Sequence, residues 1–280
     1  MTFALLQTLA VIALAILGGA IGVWFSRRKS LLWLVGFVLP IIPILMIGAA
    51  RRWYPLGFQL PFRWLVMGRT QFAITALATA MLIFTLIGRL PKARLRRMVG
   101  VFMVLLIFQA CVMPFLMPAI QHNQIAGLQT RIDRNGVCLQ STDYTCGPAA
   151  AVTALRALGL HADEAEIALV AGTSRSNGTQ PDMLANALQN QFAASHLQCD
   201  YRAFSTAADL PANHPVIALM RYQFLVDHYV TVLKVGRNHL TIGDPLTGLT
   251  DETIEEFESN WRRVGIVVSL DPMTSVDSQR

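Results

Sequence analysis

The first 120 residues contain no aspartate and no glutamate, although twelve of the 23 lysines and arginines lie there. All 17 acids and all six histidines fall in residues 121–280, together with the other eleven basic residues. The two parts therefore carry formal net charges of +12 and −6, and the overall +6 averages two unlike regions. A positive balance that is confined to an acid-free, apolar region does not indicate nucleic-acid binding, and no nucleic-acid partner is expected.

Nucleotide-binding signals are also missing. No glycine-rich phosphate loop occurs anywhere in the chain, so ATP is not an expected partner. The four cysteines and six histidines predict no metal site, and we expect the protein to need no cofactor.

Charge is scarce in the first part of the chain because four long stretches lack it completely. A helix needs about 20 apolar residues to cross the hydrocarbon core, and a charge at mid-span costs about 2.5–3.5 kcal/mol on the insertion scale. The four stretches predict a transmembrane domain over residues 1–120, with spans at about 2–25, 30–50, 70–88 and 98–120. The first span lacks a basic start and is too long for a signal peptide, so we expect it to be retained. The absence of ionisable groups within the spans argues against an ion or proton carrier.

The basic residues between the spans predict the orientation of the chain, because connections rich in Lys and Arg stay in the cytoplasm. The first and third connections together hold eight basic residues, and the second holds four. The first connection holds Arg27, Arg28 and Lys29, and the third holds Arg89, Lys92, Arg94, Arg96 and Arg97. The second connection holds Arg51, Arg52, Arg63 and Arg69. This predicts a multi-pass protein of a bacterial inner (plasma) membrane, with both chain ends and the domain after residue 120 on the periplasmic or extracytoplasmic side.

The rest of the chain predicts one α+β domain over residues 121–272 and a flexible tail over 273–280. Helical spacing or capping residues mark four helices, and β-branched, apolar runs between turn residues mark four strands. The predicted helices are 146–158, 163–172, 179–191 and 253–261, and the predicted strands are 215–221, 228–235, 239–243 and 264–270.

A cysteine stands at the start of the first of these helices, in QSTDYTCGPAA at residues 140–150. Pro148 suits the first turn of a helix, so Gly147-Pro148 places the helix start at about Cys146. A thiol there faces unpaired N–H groups and the positive end of the helix dipole, which favour the thiolate. The alternative is that Cys146 is only a small buried residue of the core.

A histidine and an aspartate are predicted to meet at one end of a hairpin. HYVTVLKV begins at His228, the turn GRNH follows, and LTIGDP contains Asp244. A turn centred near residue 236 puts these two residues opposite each other, on strands about 5 Å apart. The carboxylate could then orient the imidazole as the third member of a catalytic triad does. The alternative is a structural histidine beside an aspartate of the turn.

Four segments in this order resemble the double-glycine-leader, or bacteriocin-processing, cysteine peptidases. The segments are QSTDYTCGPAA, GTQPDMLANAL, DHYVTVLKV and LTIGDPLTG, and the similarity covers roughly residues 136–270. The resemblance implies a papain-like α+β domain with an antiparallel sheet. It also implies that Cys146 is the nucleophile, His228 the general base, Asp244 its orienting partner and Gln140 an oxyanion donor. A multi-span helical membrane region followed by a papain-like cysteine peptidase is therefore the predicted fold class.

The resemblance predicts a membrane-anchored cysteine peptidase that processes a secreted or membrane peptide or protein. Expected partners are that substrate, the lipid bilayer and a possible membrane partner protein; the chain itself holds no ABC transporter. Two other functions fit the same residues: an acyl transferase, in which an amine attacks the acyl-enzyme, and a non-enzymatic assembly or export module that recognises peptides. Outside the cytoplasm, Cys138 and Cys199 could also form a disulfide.

Overall fold

The computed structural model describes residues 2–223 and 226–271. The chain divides into two compact units, Met1–Ile120 and Gln121–Arg280. The predicted tail, residues 273–280, lies outside the described residues.

Helices of five to 25 residues build the first unit. They are α1 (Thr2–Ser26), α2 (Leu32–Arg52), α3 (Phe62–Val66), α4 (Thr70–Ile87), α5 (Ala93–Ile107) and α6 (Met113–Ile120), and a π-helical turn over Phe108–Val112 joins α5 to α6. Among the described residues, four helical segments are long and apolar enough to cross a membrane: Leu5–Ser26, Leu32–Arg52, Thr70–Ile87 and Ala93–Ile120. They match the four predicted spans. The fourth begins five residues early, because Arg94, Arg96 and Arg97 are good helix formers at its exposed end.

Glycines let α1 and α4 approach each other closely. A Cβ at Gly18 would lie 2.3 Å from the carbonyl oxygen of Leu77, and one at Gly22 would lie 2.4 Å from that of Met81. The buried Thr85 hydroxyl donates to the Met81 carbonyl of its own helix at 2.7 Å, and the Gly22 carbonyl of α1 lies 3.4 Å from the same oxygen. Small residues at helix contacts let helices approach closely and associate in lipid.

The second unit mixes helices and strands. Its helices are α7 (His122–Ala126), α8 (Cys146–Ala157), α9 (Glu164–Val170), α10 (Pro181–Gln191) and α11 (Ile254–Asn260). Its strands are β1 (Arg131–Ile132), β2 (Cys138–Leu139), β3 (Leu197–Ala203), β4 (Val216–Gln223), β5 (Val226–Val235), β6 (His239–Asp244), β7 (Gly248–Thr253) and β8 (Trp261–Leu270). All four predicted helices and all four predicted strands are present, and the α+β class is confirmed.

Six strands form one antiparallel sheet in the order β3-β8-β4-β5-β6-β7, and β1 pairs with β2 in a separate ribbon. Alternate residues of the central strands face opposite ways and are buried on both sides. Val216, Ala218, Val230 and Val232 join a core that includes Trp261 and Phe257, the latter from α11.

Helix α8 packs on the other face of the sheet. Its residues Ala149, Ala150 and Ala151 are fully buried. The Thr231 hydroxyl of β5 donates to the Ala150 carbonyl at 2.7 Å, and the Cys138 N–H of β2 donates to the Thr153 hydroxyl at 2.9 Å. The helix is thus fixed against β2 and β5, with its first residue towards the β5–β6 hairpin.

Candidate active site

Cys146 is the first residue of α8, as the sequence predicts. Pro148 lies in the first turn and needs no hydrogen-bond partner for its nitrogen. Cys146 itself is half-buried, whereas Gly147, Pro148 and the three alanines that follow are buried. The thiol therefore sits at the half-buried N-terminal end of a buried helix, where the dipole favours an anion.

Gly147 lets this helix end lie against two other segments. A Cβ added at Gly147 would lie 3.1 Å from Cβ of Thr179 and 3.3 Å from the Tyr229 ring. Neither neighbour is free to move: the Tyr229 hydroxyl donates to the Thr179 carbonyl at 2.8 Å, and the Thr179 hydroxyl shares a 2.8 Å hydrogen bond with Thr173. Glycine is therefore the residue that fits directly after the cysteine.

His228 and Asp244 meet at the end of the β5–β6 hairpin. Thr231 pairs with Gly243, and the register shifts by one residue between Val232 and Lys234. Continuing the Thr231–Gly243 pair puts Asp244 opposite Val230, so His228 is its diagonal neighbour. The prediction that the two side chains meet is correct, but the prediction that they are directly opposite is wrong, because the hairpin turns later than residue 236: Val235 pairs with Leu240.

The imidazole of His228 lies between the carboxylate and the thiol. Nε2 is 2.7 Å from Oδ1 of Asp244, and the Cys146 side chain is the other neighbour that raises the pKa of the ring. Since Nε2 is turned towards Asp244, Nδ1 is the nitrogen left for the sulfur. The His228 side chain is 8% exposed and that of Asp244 21%, so the pair is largely shielded from water.

The protonation of this pair differs from that of free side chains. Burial acts to lower the pKa of His228, but the hydrogen bonds with Asp244 and Cys146, and the charges of both, raise it from 6.5 to about 9. Burial acts to raise the pKa of Asp244, but its bonds with His228, the Leu246 N–H and Thr247 bring it below its usual value. Both directions favour an imidazolium beside a carboxylate at neutral pH.

Gln140 is joined to the same end of the hairpin through its backbone. Its N–H donates to the carbonyl of Pro245, the residue after Asp244, at 2.9 Å, and its carbonyl accepts from Arg131 at 2.7 Å. The side-chain oxygen is buried and has no hydrogen-bond partner among the described residues. The structure therefore joins the Cys146, His228 and Asp244 side chains directly, and Gln140 joins them through its main chain.

The other cysteines are not joined to each other. All four are free, and Cys138 and Cys199 belong to different sheets. Burial raises the pKa of each of these two thiols to about 12. The suggested Cys138–Cys199 disulfide is therefore absent from this structure.

Two residues beside the site escaped the sequence analysis. Glu164, at the start of α9, is fully buried and accepts hydrogen bonds from Ser141. Tyr222 is 55% exposed, and its ring centroid lies 5.7 Å from that of His228. An acid in the first turn of a helix usually faces solvent, so nothing in the sequence pattern marks Glu164 as buried.

The described residues contain no group of three His, Cys, Asp or Glu side chains that could hold a metal ion. The arrangement of thiol, imidazole and carboxylate is suited to nucleophilic catalysis.

A family model for the peptidase C39 family matches residues 134–273, half of the chain. The chain belongs to the peptidase C39 family. Residues 134–273 are accordingly a papain-like cysteine peptidase domain, preceded by the helical unit.

The C39 match is accompanied by two archaeal relatives. The chain is 38% identical over 109 residues to an uncharacterised protein of Methanothermobacter marburgensis, covering 39% of this chain and 70% of that one. It is 31% identical over 121 residues to an uncharacterised protein of Methanothermobacter thermautotrophicus, covering 43% and 79%.

Solved structures of C39 domains are also similar. One is the peptidase domain of Streptococcus ComA, a bifunctional ABC transporter, with 21% identity, 48% of this chain and 96% of that chain covered, and a TM-score of 0.41. Another is a C39-like peptidase from Bacillus anthracis, with 12% identity, 51% and 98% covered, and a TM-score of 0.41.

Proposed function

We propose that this chain is a membrane-anchored cysteine peptidase in which Cys146, His228 and Asp244 form the catalytic triad. The observation that carries the proposal is the 2.7 Å hydrogen bond between His228 and Asp244, with the Cys146 side chain close enough to the same ring to raise its pKa. A buried histidine with only a structural role would not need both a carboxylate and a thiol at a helix N-terminus as neighbours.

In the proposed reaction, Sγ of Cys146 attacks the carbonyl carbon of a peptide bond as a thiolate. The C–N bond then breaks, the leaving amine takes the proton of the His228 imidazolium, and a thioester remains on the sulfur. Water then attacks the thioester as His228 takes one of its protons; the C–S bond breaks, the Cys146 thiolate and the His228 imidazolium are restored, and the acid product leaves as a carboxylate after losing its proton to solvent. Asp244 holds the imidazole in one orientation and stabilises its charged form throughout.

Gln140 is the proposed side-chain donor to the oxyanion that forms after the attack, together with the backbone N–H of Cys146. Loss of one such donor costs about 10²–10³ in rate in a well-studied protease. Support comes from the two hydrogen bonds of the Gln140 backbone, which hold the residue next to Pro245 and hence near Asp244.

The proposed setting is the extracytoplasmic face of a plasma membrane, where the enzyme processes a secreted or membrane peptide or protein. The four apolar helices supply the anchor, and the basic connections between them favour this orientation. The proposed subtype is that of bacteriocin-processing peptidases, working with a separate membrane partner protein and without ATP.

Substrate trapping in membranes tests this function. The full chain carrying Cys146→Ala should retain a peptide or protein that the wild type releases in two pieces, and mass spectrometry of the trapped and released species identifies the cleavage site. Cys199→Ser is the matched control, because Cys199 is another free cysteine of the same domain and lies on β3, away from the triad.

The alternatives give different results in the same assay. If added amines appear on the new carboxyl end of the product, the enzyme is an acyl transferase rather than a hydrolase. If Cys146→Ser does everything that the wild type does, the domain acts as a peptide-recognition module for assembly or export, and the proposal fails.

A further inference from the structure

Glu164 is a carboxylate with no exposed surface in a domain whose other acids are mostly at the surface. A buried carboxylate is costly unless hydrogen-bond donors surround it. Glu164 is the first residue of α9, so solvent would have been accessible to a side chain turned outward. The explanation for its inward position must therefore lie in the groups that its carboxylate binds.

Both carboxylate oxygens of Glu164 bind one residue. The Ser141 N–H donates to Oε1 at 2.9 Å, and the Ser141 hydroxyl donates to Oε2 at 2.7 Å. The Glu164 N–H donates in turn to the Thr130 hydroxyl at 2.8 Å. Such paired, charge-assisted bonds fix both the position and the direction of the main chain at Ser141.

Ser141 connects the two parts of the proposed oxyanion site. It directly follows Gln140, whose main chain is bonded to Pro245 and Arg131. It also begins the short segment that leads into Cys146, where the Thr145 hydroxyl accepts from the Thr142 N–H at 3.1 Å. The Glu164 carboxylate is therefore the contact from α9 that fixes the chain between the glutamine and the cysteine.

We propose that Glu164 is a positioning residue for the oxyanion site and acts through Ser141 on the Gln140 side chain. The inference rests on the proposed function, since it assigns a second residue to the same reaction. Glu164 does not touch the substrate; it keeps the donor within the narrow geometry that oxyanion stabilisation requires.

Two chemical probes separate donor position from thiol reactivity. Acylation by the p-nitrophenyl ester of N-acetylglycine passes through an oxyanion, whereas alkylation of the thiolate by iodoacetamide does not. The other two thiols of the peptidase unit, Cys138 and Cys199, have their pKa raised to about 12 by burial and react slowly. Full-length protein in detergent is used for both probes.

Glu164→Ala should slow acylation by about 10- to 100-fold, less than outright removal of a donor, while alkylation of Cys146 stays within about threefold. Glu164→Gln should recover most of the acylation rate: its Oε1 can accept from the Ser141 N–H, and the Ser141 hydroxyl can donate to the Gln129 carbonyl, 2.9 Å away. Glu166→Ala is the matched control, because Glu166 is exposed on the same helix.

Ser141→Ala keeps the inference testable if Glu164→Ala does not fold, because it removes only the hydroxyl contact; a smaller acylation loss with unchanged alkylation is expected. Gln140→Ala combined with Glu164→Ala should be no slower than Gln140→Ala alone. Fully additive losses, or equal losses in acylation and alkylation, would overturn the positioning role and leave the peptidase intact. An absence of Cys146-dependent ester cleavage in the wild type would instead refute the proposed function, and this inference with it.

Discussion

The His228 imidazole lies between the Asp244 carboxylate, which stabilises its protonated form, and the Cys146 thiol, which can give up a proton. This setting explains why burial, which on its own disfavours the imidazolium, does not prevail: two hydrogen bonds to the ring and the charges of both partners outweigh it. The imidazolium of His228 beside the Asp244 carboxylate is thus the form expected at neutral pH, and it is the proton donor that the proposed reaction needs.

The first prediction concerns the pH at which His228 loses its proton. With the pKa raised from 6.5 to about 9, its imidazole resonances should titrate near pH 9 in an NMR titration of histidine-labelled protein. Because the pKa is higher in the folded state, the stability that the proton contributes is complete below pH 6.5 and is lost as the pH rises through about 9. His228→Gln assigns the resonance.

Asp244→Asn provides the comparison, because the amide keeps the shape and removes the charge. The midpoint for His228 should fall by about one pKa unit or more, and Cys146→Ala should lower it as well, since the thiol also raises it. A wild-type midpoint at or below 6.5 would mean that desolvation dominates, and the resting ion pair would have to be abandoned.

At the residue scale, the sequence predicts the proposed catalytic side chains better than the residues that hold them in position. Cys146 follows from Gly147-Pro148 at a helix start, and His228 and Asp244 follow from the spacing of a hairpin, because both patterns are local. Glu164 is invisible in the sequence, because its role depends on a contact with Ser141, 23 residues away, that only the tertiary fold creates.

At the scale of elements, the distance between Cys146 on α8 and His228 on β5 depends on how the helix packs on the strand. A buried hydrogen bond connects the two elements: the Thr231 hydroxyl of β5 donates to the Ala150 carbonyl of α8 at 2.7 Å, and both residues are fully buried. Tyr229, two residues earlier, bonds the Thr179 carbonyl on the same face of the strand. The strand that carries His228 is therefore tied to the helix that carries Cys146.

Thr231→Val should weaken this tie with little change in volume. The lost hydrogen bond is worth about 1 kcal/mol in the free energy of unfolding, and Cys146-dependent turnover should fall because the helix start can shift relative to His228. Thr241→Val is the control, because the Thr241 hydroxyl bonds only an exposed aspartate, Asp251, on the neighbouring strand. Chemical denaturation measures both variants; equal effects would show that the buried bond has no special part in the packing.

Two strands at the sheet edges were not predicted, for different physical reasons. The β3 sequence LQCDYRA alternates apolar and polar residues as an edge strand does, but it is short of β-branched residues. The β7 sequence GLTDET was missed because its polar residues suit an exposed edge as well as a loop, and its last residue, Thr253, caps α11. The central strands were found because burial on both faces requires continuous apolar runs.

At the scale of the whole molecule, the chain joins a C39 peptidase unit to a helical unit that holds no acid in 120 residues. Composition alone separates these regions, because lipid and water select different residues. The helical unit has more helices long and apolar enough to cross a membrane than an anchor needs, and α1 and α4 contact each other through glycines, which indicates a specific bundle rather than independent tethers.

The orientation of this bundle is the last prediction. Arg94, Arg96 and Arg97 lie in the first turns of the fourth span, directly after Arg89 and Lys92, so this connection carries the strongest cytoplasmic signal. A phosphatase that is active only outside the cytoplasm should therefore be active when fused after residue 120 and inactive when fused after Lys92. Replacing the five basic residues of this connection by glutamine should reduce that difference, whereas replacing Arg51, Arg52, Arg63 and Arg69 should not. The reverse activity pattern in the unaltered chain would put the peptidase in the cytoplasm, where leader peptides are available before export, and the proposed extracytoplasmic substrate would have to be replaced by a cytoplasmic one.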